Sequence, residues 1–187
     1  MTSDSENSNA IKGLRSDSVS DWLEDHIDGL RPPFAYELIV GGHSNLTYKV
    51  TDATGRRVVL RRPPTGSVLA TAHDMAREYR IVTAVGRSDV PVPTTYALCE
   101  DVAINDAPFY VMDYIEGTVL NDAETTKALL DVPARRALSE HTAEVLAALS
   151  RAAPFLRGRV ARMMRLRYTP AFRFEADTTY DEASRVD

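Results

Sequence analysis

Two short apolar runs flank a polar, glycine-bearing centre early in the chain: Glu37-Leu38-Ile39-Val40 precedes Gly41-Gly42-His43-Ser44-Asn45, and Leu46, Tyr48 and Val50 alternate with polar residues after it. Alternation with a period of two is strand chemistry, and paired glycines accept positive φ and admit close backbone approach, so the stretch predicts strand, glycine loop, strand. A turn at Thr51-Asp52-Ala53-Thr54-Gly55 leads into a third strand, Arg56 to Arg62, stopped by Pro63-Pro64. The period then becomes helical over 71–85, with Met75, Tyr79, Val82 and Val85 on one face and Gly86 closing it. Beyond the extended Val90-Pro91-Val92-Pro93, strands follow at 95–100 and 108–112, with a turn at 101–107 between them. This order predicts that residues 34–117 form a five-stranded antiparallel sheet with the helix packed on it. Ahead of the sheet, a short amphipathic helix is predicted from Ser20, placed as N-cap, with Trp22, Leu23 and Ile27 apolar and Gly29 as a stop. Downstream, 133–149 reads as a helix with Leu138, Val145, Leu146 and Leu149 on one face.

A hydrophobic content of 44% over 187 residues is that of a globular chain with a sizeable core. The first ten residues hold too few apolar groups to pack, so 1–17 is expected to be a disordered tail. No apolar run is long enough to span a bilayer, and the acidic, polar start is unlike a secretory signal, which points to the cytoplasm and to no membrane partner. The lone cysteine, Cys99, has no internal disulfide partner and reads as a small buried hydrophobe. The net charge of −5 conceals an asymmetry: 14 Lys and Arg stand against 22 Asp and Glu before residue 151, but 8 against 5 from that residue onward. Seven arginines, from Arg151 to Arg173, occur in that last segment before its first acid. Such a change of sign marks a boundary or a binding face.

The glycine loop has two readings on its own residues. Its freed N–H groups, with the Ser44 hydroxyl and the Asn45 amide, could hold phosphate oxygens, or the same residues could make an ordinary hairpin turn. Three further motifs, in order with it, bear on the choice. Gly41-Gly42-His43-Ser44-Asn45, Val58-Val59-Leu60-Arg61-Arg62-Pro63-Pro64, Arg77-Glu78-Tyr79-Arg80 and Phe109-Tyr110-Val111-Met112-Asp113-Tyr114-Ile115-Glu116-Gly117 together resemble the amino-terminal lobe of the aminoglycoside phosphotransferase family, over residues 18–150. The Arg-Pro-Pro after the third strand is similar to the branch associated with acyl-CoA dehydrogenases. The resemblance implies a protein-kinase-like lobe that binds ATP with Mg²⁺ and passes its γ-phosphoryl to a small-molecule hydroxyl. Gly41, Gly42, His43, Ser44 and Asn45 would cover the nucleotide, and Arg61, where the family more often has lysine, would grip its phosphates while held by Glu78. Met112 would pack behind the adenine, and the backbone of Asp113, Tyr114 and Ile115 would meet its edge.

The family places its catalytic aspartate and metal ligands in a His-Gly-Asp segment with a downstream Asn and a second Asp. No such segment occurs in these 187 residues. His141 falls on the predicted helix surface, and Asp177 and Asp181 are isolated, so no catalytic residue and no metal ligand is assigned. The chain is accordingly expected to hold nucleotide without transferring phosphoryl, to lack the residues that choose its substrate, and to self-associate through the underside of the lobe.

From about residue 144 a second resemblance begins. Leu146 to Asp177, with its dense arginines, then Asp181 to Asp187, is similar to the carboxy-terminal half of ribosome-binding factor A, a small KH-type RNA-binding fold. It implies RNA, or the small ribosomal subunit, as a partner of Arg157, Arg159, Arg162, Arg165 and Arg167. Against it stands the reading of a solvated Arg-rich face. Ala152-Ala153-Pro154 stands where that family has its helix kink. The whole is expected to be an α+β chain: the tail at 1–17, a kinase-like lobe at 18–118, a linker and helix at 119–150, and a basic, partial KH-like segment at 151–187.

Overall fold

A computed structural model describes residues 11–39, 45–66, 74–120 and 122–164, without the side chains of residue 156 and of 159–164 in the last helix. The chain divides into two compact units, the first running to Thr83 and resuming over Pro93–Ile115, the second comprising Ala84–Val92 and the residues from Glu116 onward.

The first unit opens with helix α1 (Ser16–His26), followed by strands β1 (Ala35–Leu38), β2 (Leu46–Thr51) and β3 (Arg57–Arg62), helix α2 (Met75–Val85), β4 (Thr95–Cys99), a short helix α3 (Val102–Asn105) and β5 (Phe109–Asp113). The five strands form one antiparallel sheet in the order β1-β2-β3-β5-β4, as the alternations predict. Because side chains alternate across a strand, Tyr48, Val50, Val58, Leu60, Phe109 and Val111 share one face. All are buried, and they pack with Val19, Trp22, Leu23, Ile27 and Leu30, so α1 and the link behind it cover that face. Cys99 lies in the same cluster, and burial pushes its thiol pKa up, in keeping with an inert hydrophobe.

Several boundaries differ from the predicted ones. Helix α1 begins at Ser16, because Val19 is fully buried beside Leu23 and the Ser20 hydroxyl donates within the helix to the Ser16 carbonyl at 2.6 Å instead of capping it. At its other end the helix stops at His26, with Ile27 extended as its C-cap, ahead of the predicted Gly29, which takes φ +81° in the turn beyond. The tail placed at 1–17 is fastened from Ile11 onward: Tyr48 Oη–H donates to the Lys12 carbonyl, Arg62 reaches that of Gly13, and Arg15 N–H donates to Asn105 Oδ1 at 2.9 Å. Helix α2 starts at Met75, where the Asp74 carboxylate accepts the Arg77 N–H at 2.8 Å and caps the first turn; residues 71–73 lie outside the described residues. The predicted turn at 101–107 contains α3, capped by Asp101 accepting the Ala103 N–H at 2.9 Å and ended by Asp106 at φ +55°.

In the second unit, helix α4 (Ala123–Leu129) is capped by Asp122, and helix α5 (Val132–Met164) runs as one element of 33 residues. The boundary drawn between 150 and 151 therefore falls inside a helix. Pro154 removes one N–H donor without breaking it, since the remaining ladder continues on both sides. Ala84, Val85 and Val90 pack with Ala148 and Ala152 in a small core of this unit.

The turn between β2 and β3 is organised by one carboxylate. Asp52, 5% exposed, accepts from the N–H groups of Thr54 (2.8 Å), Arg56 (2.8 Å) and Arg31 (3.2 Å) and from the Thr54 hydroxyl (2.7 Å). Burial opposes its charge, but these four bonds outweigh it and hold its pKa below the usual carboxylate value. A depressed carboxylate adds stability above its unfolded pKa, near 3.9, and loses it as pH falls through the lower folded value. Asp52→Asn is therefore expected to flatten the fall of stability on acidification below about pH 4, measured by urea unfolding at a series of pH values. An unchanged acid limb would remove Asp52 from that transition.

Candidate functional site

The sheet face away from α1 carries the odd residues of β2 and β3 and the even residues of β5: Thr47, Lys49, Val59, Arg61, Tyr110 and Met112. The register sets Thr47 directly opposite Arg61 on one side and Tyr110 opposite Arg61 on the other. Helix α2 supplies the rest. Glu78, in its first turn, lies against Arg61; Tyr79 meets the Tyr110 ring edge-on at 5.9 Å; and the hydroxyls of Thr83 and Thr95 are 2.6 Å apart.

A carboxylate sits at the centre of this face. Glu78 Oε1 accepts from Arg61 Nε at 2.6 Å and from the Tyr110 hydroxyl at 2.9 Å, while Oε2 accepts from Asn45 Nδ2 at 3.2 Å. Arg61 Nη1 donates to Thr47 Oγ1 at 3.0 Å. Burial, then the adjacent Glu78 charge, pushes the Tyr110 hydroxyl well above its ordinary pKa, so it stays protonated and donates. The Arg61 and Glu78 side chains are 28% and 31% exposed, which leaves the pair open to an incoming ligand. Nη2 of Arg61 has no hydrogen-bond partner among the described residues, so the guanidinium keeps N–H groups for an anion.

The far end of the face is the exit of β5. Met112 is half-buried and opposite the buried Val59. The Asp113 N–H is taken by the Thr94 carbonyl at 2.8 Å, and its carboxylate accepts the Tyr96 hydroxyl. The strand ends there: Tyr114 stacks under the Arg57 guanidinium at 5.1 Å and Ile115 is 64% exposed. Of the predicted backbone contacts to a base edge, the Asp113 N–H is therefore already used, and the groups beyond it remain.

The structure thus brings Asn45, Arg61 and Glu78 together beside Tyr110, with Met112 at the next position on the same face of β5. Gly41, Gly42, His43 and Ser44 lie outside the described residues. Thr47 and Tyr110 went unpredicted as members of the site, although the alternation that set Tyr48 inward also set Thr47 outward. Of the basic residues, Arg157 is exposed on α5; Arg159 and Arg162 belong to that helix with side chains outside the description, and Arg165 and Arg167 lie outside the described residues. His141 is exposed on α5, 3.6 Å from Glu144. Among the described residues no group of three or more His, Cys, Asp or Glu is placed to hold a metal ion.

The sequence profile of the phosphotransferase enzyme family matches residues 35–187. The chain belongs to that family. Its match extends through the basic segment, past the limit near residue 150 that the motifs suggested. A crystal structure from Ralstonia eutropha, described as an aminoglycoside phosphotransferase, is 32% identical and superposes with a TM-score of 0.58 over 72% of this chain and 37% of its own. Mouse acyl-CoA dehydrogenase family member 10 is 46% identical over 81 residues, 43% of this chain. Human acyl-CoA dehydrogenase family member 11 is 30% identical over 138 residues, 72% of this chain. The matches span only 8% and 17% of those two relatives. A 46-residue stretch is also 46% identical to ribosome-binding factor A of Maricaulis maris, covering 25% of this chain and 33% of that protein.

Proposed function

We propose that the sheet and α2 form the ATP-binding lobe of a small-molecule phosphotransferase, the face opposite α1 being the nucleotide side. The observation that carries this reading is the Arg61–Glu78 pair: a fixed guanidinium with unused N–H groups, about a third exposed, beside the glycine loop's last residue and on the same sheet face as Met112 of β5. Arg61 would bind phosphate oxygens through Nη2, oriented by Glu78 and Thr47, and Met112 and Val59 would give the base an apolar floor. ATP, when bound, supplies the transferable γ-phosphoryl for an acceptor hydroxyl. The described carboxylates do not assemble a Mg²⁺ site.

The test is calorimetric titration of the chain with ATP and, separately, with adenosine. Arg61→Ala is expected to weaken ATP roughly 10- to 100-fold, the worth of one or two charge-assisted hydrogen bonds, and to leave adenosine unchanged. An unaltered chain that takes up no ATP at millimolar concentration overturns the reading.

A further inference from the structure

The Glu78 carboxylate has more donors than an ion pair requires. Arg61 holds one oxygen at 2.6 Å, Tyr110 reaches that same oxygen from β5 at 2.9 Å, and Asn45 reaches the other from the start of β2 at 3.2 Å. An ionised carboxylate only accepts, so Asn45 must present its NH₂ group and Tyr110 its O–H, and with Arg61 the three donors come from β3, from β5 and from the residue before β2. Tyr110 is itself immobile: it is 1% exposed and its ring is held edge-on by Tyr79.

We propose that Tyr110 and Asn45 are positioning residues, which lock the Glu78 carboxylate onto Arg61 from β5 and from the end of the glycine loop, so that the guanidinium is set before a nucleotide arrives. The proposal rests on the nucleotide reading of this face. Two consequences separate it from a generic packing role. Glu78 is an anion that only accepts, and it is repelled by phosphate, so its contribution reaches the phosphates only through Arg61. A displacement of α2 that removed Glu78 from Arg61 would also break contacts to β5 and to the loop's end, so the three elements move together.

The experiment uses the full chain with Tyr110→Phe, which deletes one oxygen and keeps the ring contact, and Asn45→Ala, at a half-buried position. Two quantities are read. The first is hydrogen exchange at the Arg61 Nε–H, followed by ¹⁵N NMR of the ligand-free protein and assigned with Arg61→Lys. The second is the ratio of ATP to adenosine affinity. Each single variant should speed the exchange several-fold and the double variant about tenfold or more, while the ATP-to-adenosine ratio falls about tenfold and adenosine itself is unaffected. Exchange and ratio both within twofold of the unaltered chain in the double variant overturn the proposal. Faster exchange in a chain that binds no ATP supports the positioning role and overturns only the nucleotide reading. Loss of adenosine and ATP in equal proportion, with unchanged exchange, overturns the proposal in favour of a merely structural Tyr110.

Discussion

Phe109→Ala should destabilise the first unit by about 3–5 kcal/mol, the range for truncating a large buried aromatic, and lower the thermal midpoint by on the order of 10 °C. The ring has no exposed surface and meets the Trp22 indole edge-on at 4.9 Å, with the planes at 75°. It stands on β5, between β3 and β4, in register with the buried Cys99. Three losses therefore fall on one substitution: the transfer of apolar area, the aromatic contact that ties α1 to the sheet, and a void that rigid neighbours on two flanking strands cannot collapse into. Phe109→Leu keeps most of the volume and should cost about a third as much. Urea unfolding monitored by Trp22 fluorescence measures both, and Val119→Ala, at a residue 74% exposed, should stay within about 0.5 kcal/mol of the parent. A Phe109→Ala midpoint as close as that control would mean that α1 does not cover the sheet.

What was legible in the sequence follows from how many neighbours a decision needs. Strands β2, β3 and β5 were legible because Tyr48, Val50, Val58, Leu60 and Val111 each obey a local period that one buried face imposes. The pairing of Arg61 with Glu78 was legible only through the family resemblance, since nothing local joins a strand cation to a helix acid 17 residues away. Helix α1 was placed in part: its apolar spacing was plain, but Ser20 had the chemistry of a cap, and only the burial of Val19 against the sheet carries the helix back to Ser16. Asn105 had no signal at all. It is a polar residue in a short turn-like stretch, yet it is wholly buried, because the segment Ile11–Arg15 is folded over it and its Oδ1 accepts the Arg15 N–H. Tyr110 and Thr47 were hidden differently: each reads as an ordinary strand residue, and their part in the site appears only when the register sets them on either side of Arg61.

Arg61 and its neighbour Arg62 make the sharpest case, because composition cannot tell them apart and parity divides them. Arg61 faces the site; Arg62 points to the opposite face and is 5% exposed. Its Nε donates to the Pro63 carbonyl at 2.9 Å and its Nη1 to the carbonyls of Asn105, at 3.2 Å, and Gly13. It has no carboxylate within ion-pair distance among the described residues, and burial pulls its pKa below the ordinary arginine value, partly offset by the Tyr48 and Asp106 side chains. A guanidinium remains charged regardless, so the three carbonyls are what compensate its lost hydration. They come from the N-terminal segment, from the end of β3 and from α3, which makes one side chain the clasp between three parts of the chain. Glycine at position 13 is specified by its backbone and by Thr65: at φ +71° a Cβ there would lie 2.6 Å from Thr65 Cγ2. Arg62→Met keeps the length and apolar stem but removes every donor and strands the carbonyls, so it should cost about 2–4 kcal/mol, from hydrogen bonds to a charged group lost and acceptors left buried. Arg62→Lys, with a single nitrogen that cannot span the same three acceptors, should lose about half of that. The distinguishing readout is local. Release of the segment should expose Lys12 and Arg15, and trypsin should cut there at least tenfold faster in Arg62→Met than in Phe109→Leu brought to the same global stability with urea. Equal cleavage in the two would show that the loss is spread through the fold, and that Arg62 does not specifically hold the segment down.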